Sequence, residues 1–447
     1  MADLLIKNGK VGTMDAQRRY FPDGAVAIEG NKIVAVGPTA EVTASHSAPK
    51  TVDAAGKVVL PGFICSHTHM AALLSHNMPV DFSQFQKFTD MMEKWWWPQV
   101  EDQTMADDIY WATLMAAVKM LKSGTTTVCD MLEAPSALPG ALDHQARACE
   151  EIGLRAVLAF EATERTSEEL GKLAMEENWR FVKEHNRSGD GLVTGRFACH
   201  TAYTAPPSML EATRGMADDT GAGLIIHVAE FPPELVVEKW GKRAPQILEE
   251  TGFLGPDCLT VHCIHMTDEE IDLWAKHDVK VSHTPMSNML GGVGVAKVPQ
   301  MMAKGITVSL GHDCFFTLDI TEYMRSAYLI HKVAPVPNPT NMLFFQALEL
   351  ITVNGAKALM MEDQIGSLEV GKKADLIIVD EKCPTPVNET TWMWYVVHDM
   401  DGADVETVIV DGQVVVDDHR VINVDEEEVQ ARCQERAWEM WKRAGAV

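Results

Sequence analysis

Residues 61–70, PGFICSHTHM, decide how this chain is read. An apolar β-rich run (Val58, Val59, Leu60) leads into Pro61-Gly62, and the stretch closes on His67-Thr68-His69. Histidines at i and i+2 point to the same side of an extended chain. At the end of a strand, that side can be the mouth of a barrel. Imidazole is the commonest metal ligand, and two from one strand supply two corners of a coordination sphere. One His-x-His is weak evidence alone, so its weight depends on whether the rest of the chain repeats the pattern.

It does repeat. Across 61–365 short β-rich runs alternate with helical periodicity, the rhythm of βα units. The runs are 58–67, 124–131, 155–162, 193–200, 223–229, 259–265, 279–284 and 306–312. Eight such runs predict an α/β fold, a (β/α)8 TIM-type barrel. Between them the helices are plausible, as in 107–122, with Ile109, Thr113, Ala116, Ala117 and Met120 on one face. His67 and His69 end the first run, His200 the fourth, His227 the fifth, His262 the sixth and His283 the seventh; Asp313 follows the eighth. In a barrel all strand C-termini open on one face, so residues scattered from 67 to 313 converge on one pocket.

Outward from the barrel, residues 1–60 read as short strands and turns, and 366–424 return to that style. The two ends predict one small composite β-sandwich beside the 61–365 catalytic barrel. Residues 425–447 predict an amphipathic helix with Val429, Cys433, Ala437, Trp438 and Trp441 on its apolar face, packed on its own barrel or on a sister subunit.

A formal charge of −26 argues against nucleic acid or an anionic membrane as partner. No run reaches membrane-spanning length and no export signal is evident. Nine cysteines without a CxxC pair indicate reduced thiols, and a cytoplasmic location is expected.

His67, His69, His227 and Asp313 offer three neutral nitrogens and a carboxylate, suited to one divalent ion, zinc ahead of iron or manganese. An open position would bind water and lower its pKa, giving a hydroxide nucleophile. Glu230, in HVAE, is placed to shuttle a proton to a leaving nitrogen without being a ligand. His262, ahead of its neighbour His265, and His283 are candidates to donate to the developing adduct. His200 and Tyr203, in HTAYTAPP, can hydrogen-bond a substrate edge. No lysine ends the fourth run, which favours one metal over a bridged pair.

These residues resemble the amidohydrolase superfamily, in its deaminase and chlorohydrolase branch. The likeness runs through VVLPGFICSHTH, LKSGTTTVCD, HTAYTAPP, HVAE, VHCIHMTDEE, VSHTPMSN, GITVSLGHD and IGSLEVGKKADLIIVD, in the family's order. It implies His67, His69, His227 and Asp313 on the metal and Glu230 and His262 in proton transfer and polarisation, with Asp313 also accepting a proton from the water. It also makes a homo-oligomer plausible. Three places depart from the family pattern. LLSHNM puts His76 and Asn77 where Arg-Gly is common, SHTP replaces SHNP, and GHDC replaces GTDG, flanking Asp313 with His312 and Cys314. The Trp95–Trp97 run, in the long first insertion, places aromatic bulk near the mouth, Trp97 included, as a stacking wall or as plain packing.

The expected activity is hydrolytic deamination of an amino-substituted N-heterocycle, purine-like first, then pterin, pyrimidine or triazine. Hydroxide would attack the amidine carbon while the ring nitrogen takes a proton. The alternatives are displacement of chloride or alkylamine from a triazine, cleavage of an amide-like C–N bond, or a non-catalytic interaction module that would be expected to have lost these ligands.

Overall fold

The computed structural model describes residues 2–186, 191–314 and 316–447. Its centre is the expected barrel of parallel strands. In chain order these are Phe63–Thr68, Thr125–Leu132, Arg155–Ala162, Phe197–Thr201, Leu224–Val228, Cys258–His262, Lys280–His283 and Val308–Leu310, each hydrogen-bonded to the next. The fourth run is split, because Val193–Gly195 and Phe197–Thr201 pair separately with the third strand on either side of Arg196. Helices cover the outside, so almost every strand residue is buried on both faces, which is why the runs read as continuous apolar stretches rather than alternating ones. Closure is made at the site itself. Thr68 bridges to Asp313 in parallel, and the Asp313 N–H donates to the His67 carbonyl at 3.2 Å.

The first run divides in two. Val58–Pro61 belongs to the terminal sheet and Phe63–Thr68 to the barrel. Gly62 is the joint, and a Cβ there would lie 2.1 Å from Thr126 Oγ1. Only glycine lets the chain pass from one sheet to the other so close to the second barrel strand.

Both chain ends build one hydrogen-bonded nine-stranded sheet, whose distant parts meet where Lys32 bridges to Lys373 and where Ile28 and Ile33 pack with Leu376 and Ile409. Val58–Pro61 lies between Leu4–Gly12, from the N-terminal part, and Leu376–Val379, from the C-terminal part. Arg155, at the start of the third barrel strand, is 2% exposed and docks the barrel onto this sheet. Its guanidinium grips both oxygens of Asp375 at 2.7 and 2.9 Å and reaches Asp411 at 2.8 Å. Removing one member of a buried, hydrogen-bonded ion pair strands the other charge. Arg155→Met is therefore expected to destabilise the fold by about 3–5 kcal/mol. Urea unfolding checks this, and a loss below about 1 kcal/mol, typical of an exposed pair, would refute the docking role.

Helix Ala106–Lys122 begins where Asp108 accepts from the Met105 N–H at 2.9 Å, and it buries Ile109, Thr113, Ala116, Ala117 and Met120 as its spacing predicts. The same Asp108 binds Arg436 and Arg443 of the C-terminal helix, Glu426–Arg443, fastening that helix to its own chain. Val429, Cys433 and Met440 are buried there, whereas Trp438, assigned to the apolar face, is 53% exposed. No helix among the described residues is long and apolar enough to cross a membrane.

Candidate active site

Two residues that turn inward at the barrel mouth hold a backbone conformation that disfavours side chains. His262 has φ +68° and Asp313 φ +62°, both in the left-handed region. Each such residue costs on the order of 1 kcal/mol, which the surrounding sheet must over-determine. Gly311 allows the tight approach beside them, since a Cβ there would lie 2.6 Å from the His67 carbonyl oxygen.

Four donor atoms meet on this face. His67 Nε2 lies 3.2 Å from Asp313 Oδ1 and 3.4 Å from His227 Nε2, and His69 Nε2 lies 3.3 Å from the same Asp313 oxygen. Four ligands held tetrahedrally at ~2.0–2.1 Å are separated by about 3.3–3.4 Å. The spacing therefore fits a small divalent ion. His262 also brings an atom within 4.8 Å of the His67, His227 and Asp313 donors.

Main-chain carbonyls choose the tautomers. His69 Nδ1 faces the Met131 carbonyl at 2.6 Å, and His227 Nδ1 faces the His200 carbonyl at 3.0 Å. A proton donated there leaves each Nε2 lone pair pointing inward, as a ligand requires. Burial lowers the pKa of His67 to about 4 and holds His227 well below its usual value, so both are neutral at pH 7. Burial pushes the Asp313 carboxyl up, but the His67 and His69 imidazoles beside it more than offset this and hold it well below the usual carboxylate range.

Beside the donors sits Glu230, whose Oε2 is 3.6 Å from His262 Nε2. Burial is the largest effect on it, and its pKa rises to about 7. His262 is held from behind, its Nδ1 lying 2.9 Å from both Asn288 Oδ1 and Thr284 Oγ1. Thus Asn288, of the SHTPMSN stretch, fixes the ring that faces Glu230.

The surrounding pocket is narrow. Phe88, Met92 and Trp96 from the first insertion close over it, and Glu101, Glu161, His200, Ser287 and Cys314 complete the wall. The segment Met92–Val100 is a widened, π-type helix with Pro98 inside it. Proline offers no N–H to the helical ladder, which accounts for the local irregularity there.

Several proposed substrate contacts lie elsewhere. His283 Nε2 faces His331 Nε2 at 3.1 Å, which turns the ring toward the helix Ile320–Val333 and away from the pocket lining. His76 lines a separate cavity of about 910 Å³ with Lys119 and Lys122, because the short helix Met70–Ser75 carries it off the barrel mouth. Trp97 packs on the edge of His200, ring centroids 6.0 Å apart, beneath the Arg165 guanidinium, and its neighbour Trp96 is the one that lines the pocket. Tyr203 packs against Phe231 outside the lining, whereas His200 is part of it.

The carboxylates Glu101, Glu133 and Glu161 had no assigned role in the sequence. Two of them were findable, since Glu161 sits in the third run, RAVLAFEA, and Glu133 directly follows the second strand. The strand-end rule applied to histidines covers acids as well.

The Amidohydrolase family pattern matches residues 58–415, and a pattern for the imidazolonepropionase-like composite domain of bacteria matches 24–46. The chain is 39% identical over 453 residues to the 5'-deoxyadenosine deaminase of Methanosarcina acetivorans, with all of both chains covered. It is 35% identical over 442 residues to the 5-methylthioadenosine/S-adenosylhomocysteine deaminase of Pelotomaculum thermopropionicum, covering 98% of each. Among solved structures, its fold is similar to that of an adenosine deaminase from Xanthomonas campestris with bound zinc. The TM-score is 0.88 at 24% identity, over 100% of this chain and 99% of the other.

Proposed function

This chain belongs to the amidohydrolase family, and we propose that it is a metal-dependent hydrolytic deaminase of a 6-aminopurine nucleoside. One observation carries the reading: a largely buried carboxylate, Glu230, stands beside three imidazoles and a carboxylate whose donor atoms follow one another at 3.2–3.4 Å, from His69 through Asp313 and His67 to His227. Full-length likeness to relatives named as deaminases of 5'-deoxyadenosine and of methylthioadenosine or S-adenosylhomocysteine supports the purine nucleoside over other amino-heterocycles.

His67, His69, His227 and Asp313 would hold the ion, and zinc is our assignment because the donor set is nitrogen-rich. Such an ion supplies a nucleophile at neutral pH by lowering the pKa of a water it binds. The chain's own groups then handle protons. Glu230, with its pKa near neutrality, carries one to the ring nitrogen, making the amidine carbon electrophilic as the C–O bond forms. His262, held by Asn288 and Thr284, presents Nε2 toward Glu230 and the reacting carbon. Breaking the C–N bond releases ammonia and leaves a ring carbonyl.

Asn288→Ala should loosen the His262 ring without touching substrate. A fall in kcat of up to about 100-fold with little change in KM is expected. Steady-state kinetics on folded, metal-loaded variant check this, and an unchanged kcat would show that His262 needs no such support.

The reading is tested by ammonia release from metal-quantified protein given adenosine, 5'-deoxyadenosine, methylthioadenosine, guanine, a pterin, cytosine and an aminotriazine. Turnover of the adenosine derivatives above the rest is the expected result. Turnover of a triazine or guanine alone would replace the substrate assignment. Silence across the panel with metal bound would replace the reaction.

A further inference from the structure

Between the site just described and the second and third strand ends lies a group of acids that this mechanism does not use. Glu161 is 1% exposed and points two ways. Its Oε1 lies 3.5 Å from His69 Nδ1 and 3.9 Å from His227 Nε2, and its Oε2 lies 3.9 Å from His200 Nε2. Glu133 stands beside it, and the ligating atoms of Glu133, Glu161 and His200 all fall within 4.8 Å of one another. Oε1 of Glu161 and Oε2 of Glu133 are buried without a hydrogen-bond partner.

Arg165 binds Glu133, Glu101 and Asp102, so one guanidinium serves three carboxylates, and Glu161 adds a fourth that it does not bind. Burial first, then the neighbouring Glu133 and Glu101, push the Glu161 carboxyl well above the usual carboxylate range. The imidazole is prepared for a cation as well. His200 Nδ1 is 2.7 Å from Thr204 Oγ1, whose hydroxyl is aligned to donate to the Thr201 carbonyl at 3.4 Å. Thr204 then accepts the Nδ1 proton, and the Nε2 lone pair faces the Glu161 carboxylate. At 3.9 Å that pair is too far apart to share a hydrogen bond, but an ion can bridge it.

We propose that Glu133, Glu161 and His200 form a second divalent-cation site, joined to the first through the Glu161 carboxylate. Two carboxylates and one imidazole make a harder donor set than the first site and suit Mn²⁺. The inference rests on the first site as read above, and the two fail in different ways.

The test is to strip the protein with chelator, load it with excess Mn²⁺, desalt it, and measure bound manganese together with its electron paramagnetic resonance spectrum. About two Mn²⁺ per chain with an exchange-coupled spectrum are expected, falling to about one with an uncoupled spectrum in Glu133→Gln and His200→Asn. His200→Asn keeps the Arg165 network whole, so it remains informative if Glu133→Gln does not fold. About one ion in the parent protein and in both variants would overturn the second site and leave the first standing. No bound ion in the parent protein would overturn both.

Discussion

Glu230→Gln is expected to lower kcat for deamination by roughly 10³-fold while the protein keeps its ion. The substitution retains shape and hydrogen-bonding capacity but removes the group able to carry a proton. An aromatic amidine carbon resists attack until its ring nitrogen is protonated, so the loss falls on the chemical step. Three orders of magnitude correspond to about 4 kcal/mol of barrier. Glu230 is separated from the four donor atoms in role, since its Oε2 faces His262 Nε2 at 3.6 Å rather than joining that set. Metal content measured on the same sample distinguishes a lost proton carrier from a lost ion. Full activity in the variant would remove Glu230 from the mechanism.

Loss of the ion should be more severe still. His227→Ala removes one corner of a four-donor set, and both metal content and activity are expected to fall to background, without rescue by added zinc. In the parent protein, chelation should abolish turnover and zinc should restore it. Acid should oppose loading. Burial alone would lower the His69 pKa, but Asp313 raises it above the usual value, so this imidazole holds a proton that a metal must displace. Below that pKa the apparent affinity should drop about tenfold per pH unit, whereas His67 and His227, already neutral, add nothing until pH is far lower. Metal content after dialysis across pH 5–8 checks the sign (roughly the range where histidines titrate). Occupancy that rises on acidification would rule out His69 as a ligand.

Much of the architecture was legible because periodicity and strand ends are local properties. The alternation of runs predicted the parallel barrel, and the runs that close on His67, His69, His200 and His227 correspond to strands that open on one pocket. The terminal sheet was legible from two β-rich ends, but its form as a single nine-stranded sheet depends on Val58–Pro61 pairing with partners from both ends of the chain. Pairing across such separations has no local signature. Trp438 shows the limit of helical periodicity, since the wheel places it on the apolar face and the packing leaves it half exposed.

Side-chain direction was the harder matter. His262 and His283 both end barrel strands, yet His262 takes a left-handed backbone that aims it at Glu230, while His283 turns to His331 on a helix. Nothing in either residue's neighbours along the chain encodes that difference. His76 was drawn toward the pocket by its place in a family motif, and the helix before it carries it to another cavity.

The sequence by itself determined that eight βα units would bring His67, His69, His227, Glu230 and Asp313 to one mouth, because strand ends in a closed barrel share a face whatever the loops do. Tertiary structure alone decided the 3.2–3.4 Å spacing of the donor atoms, the tautomers chosen by the Met131 and His200 carbonyls, and the meeting of Glu133, Glu161 and His200. The physical reason is that metal and proton chemistry depends on tenths of an ångström and on burial, and both are set by packing between segments far apart in the chain.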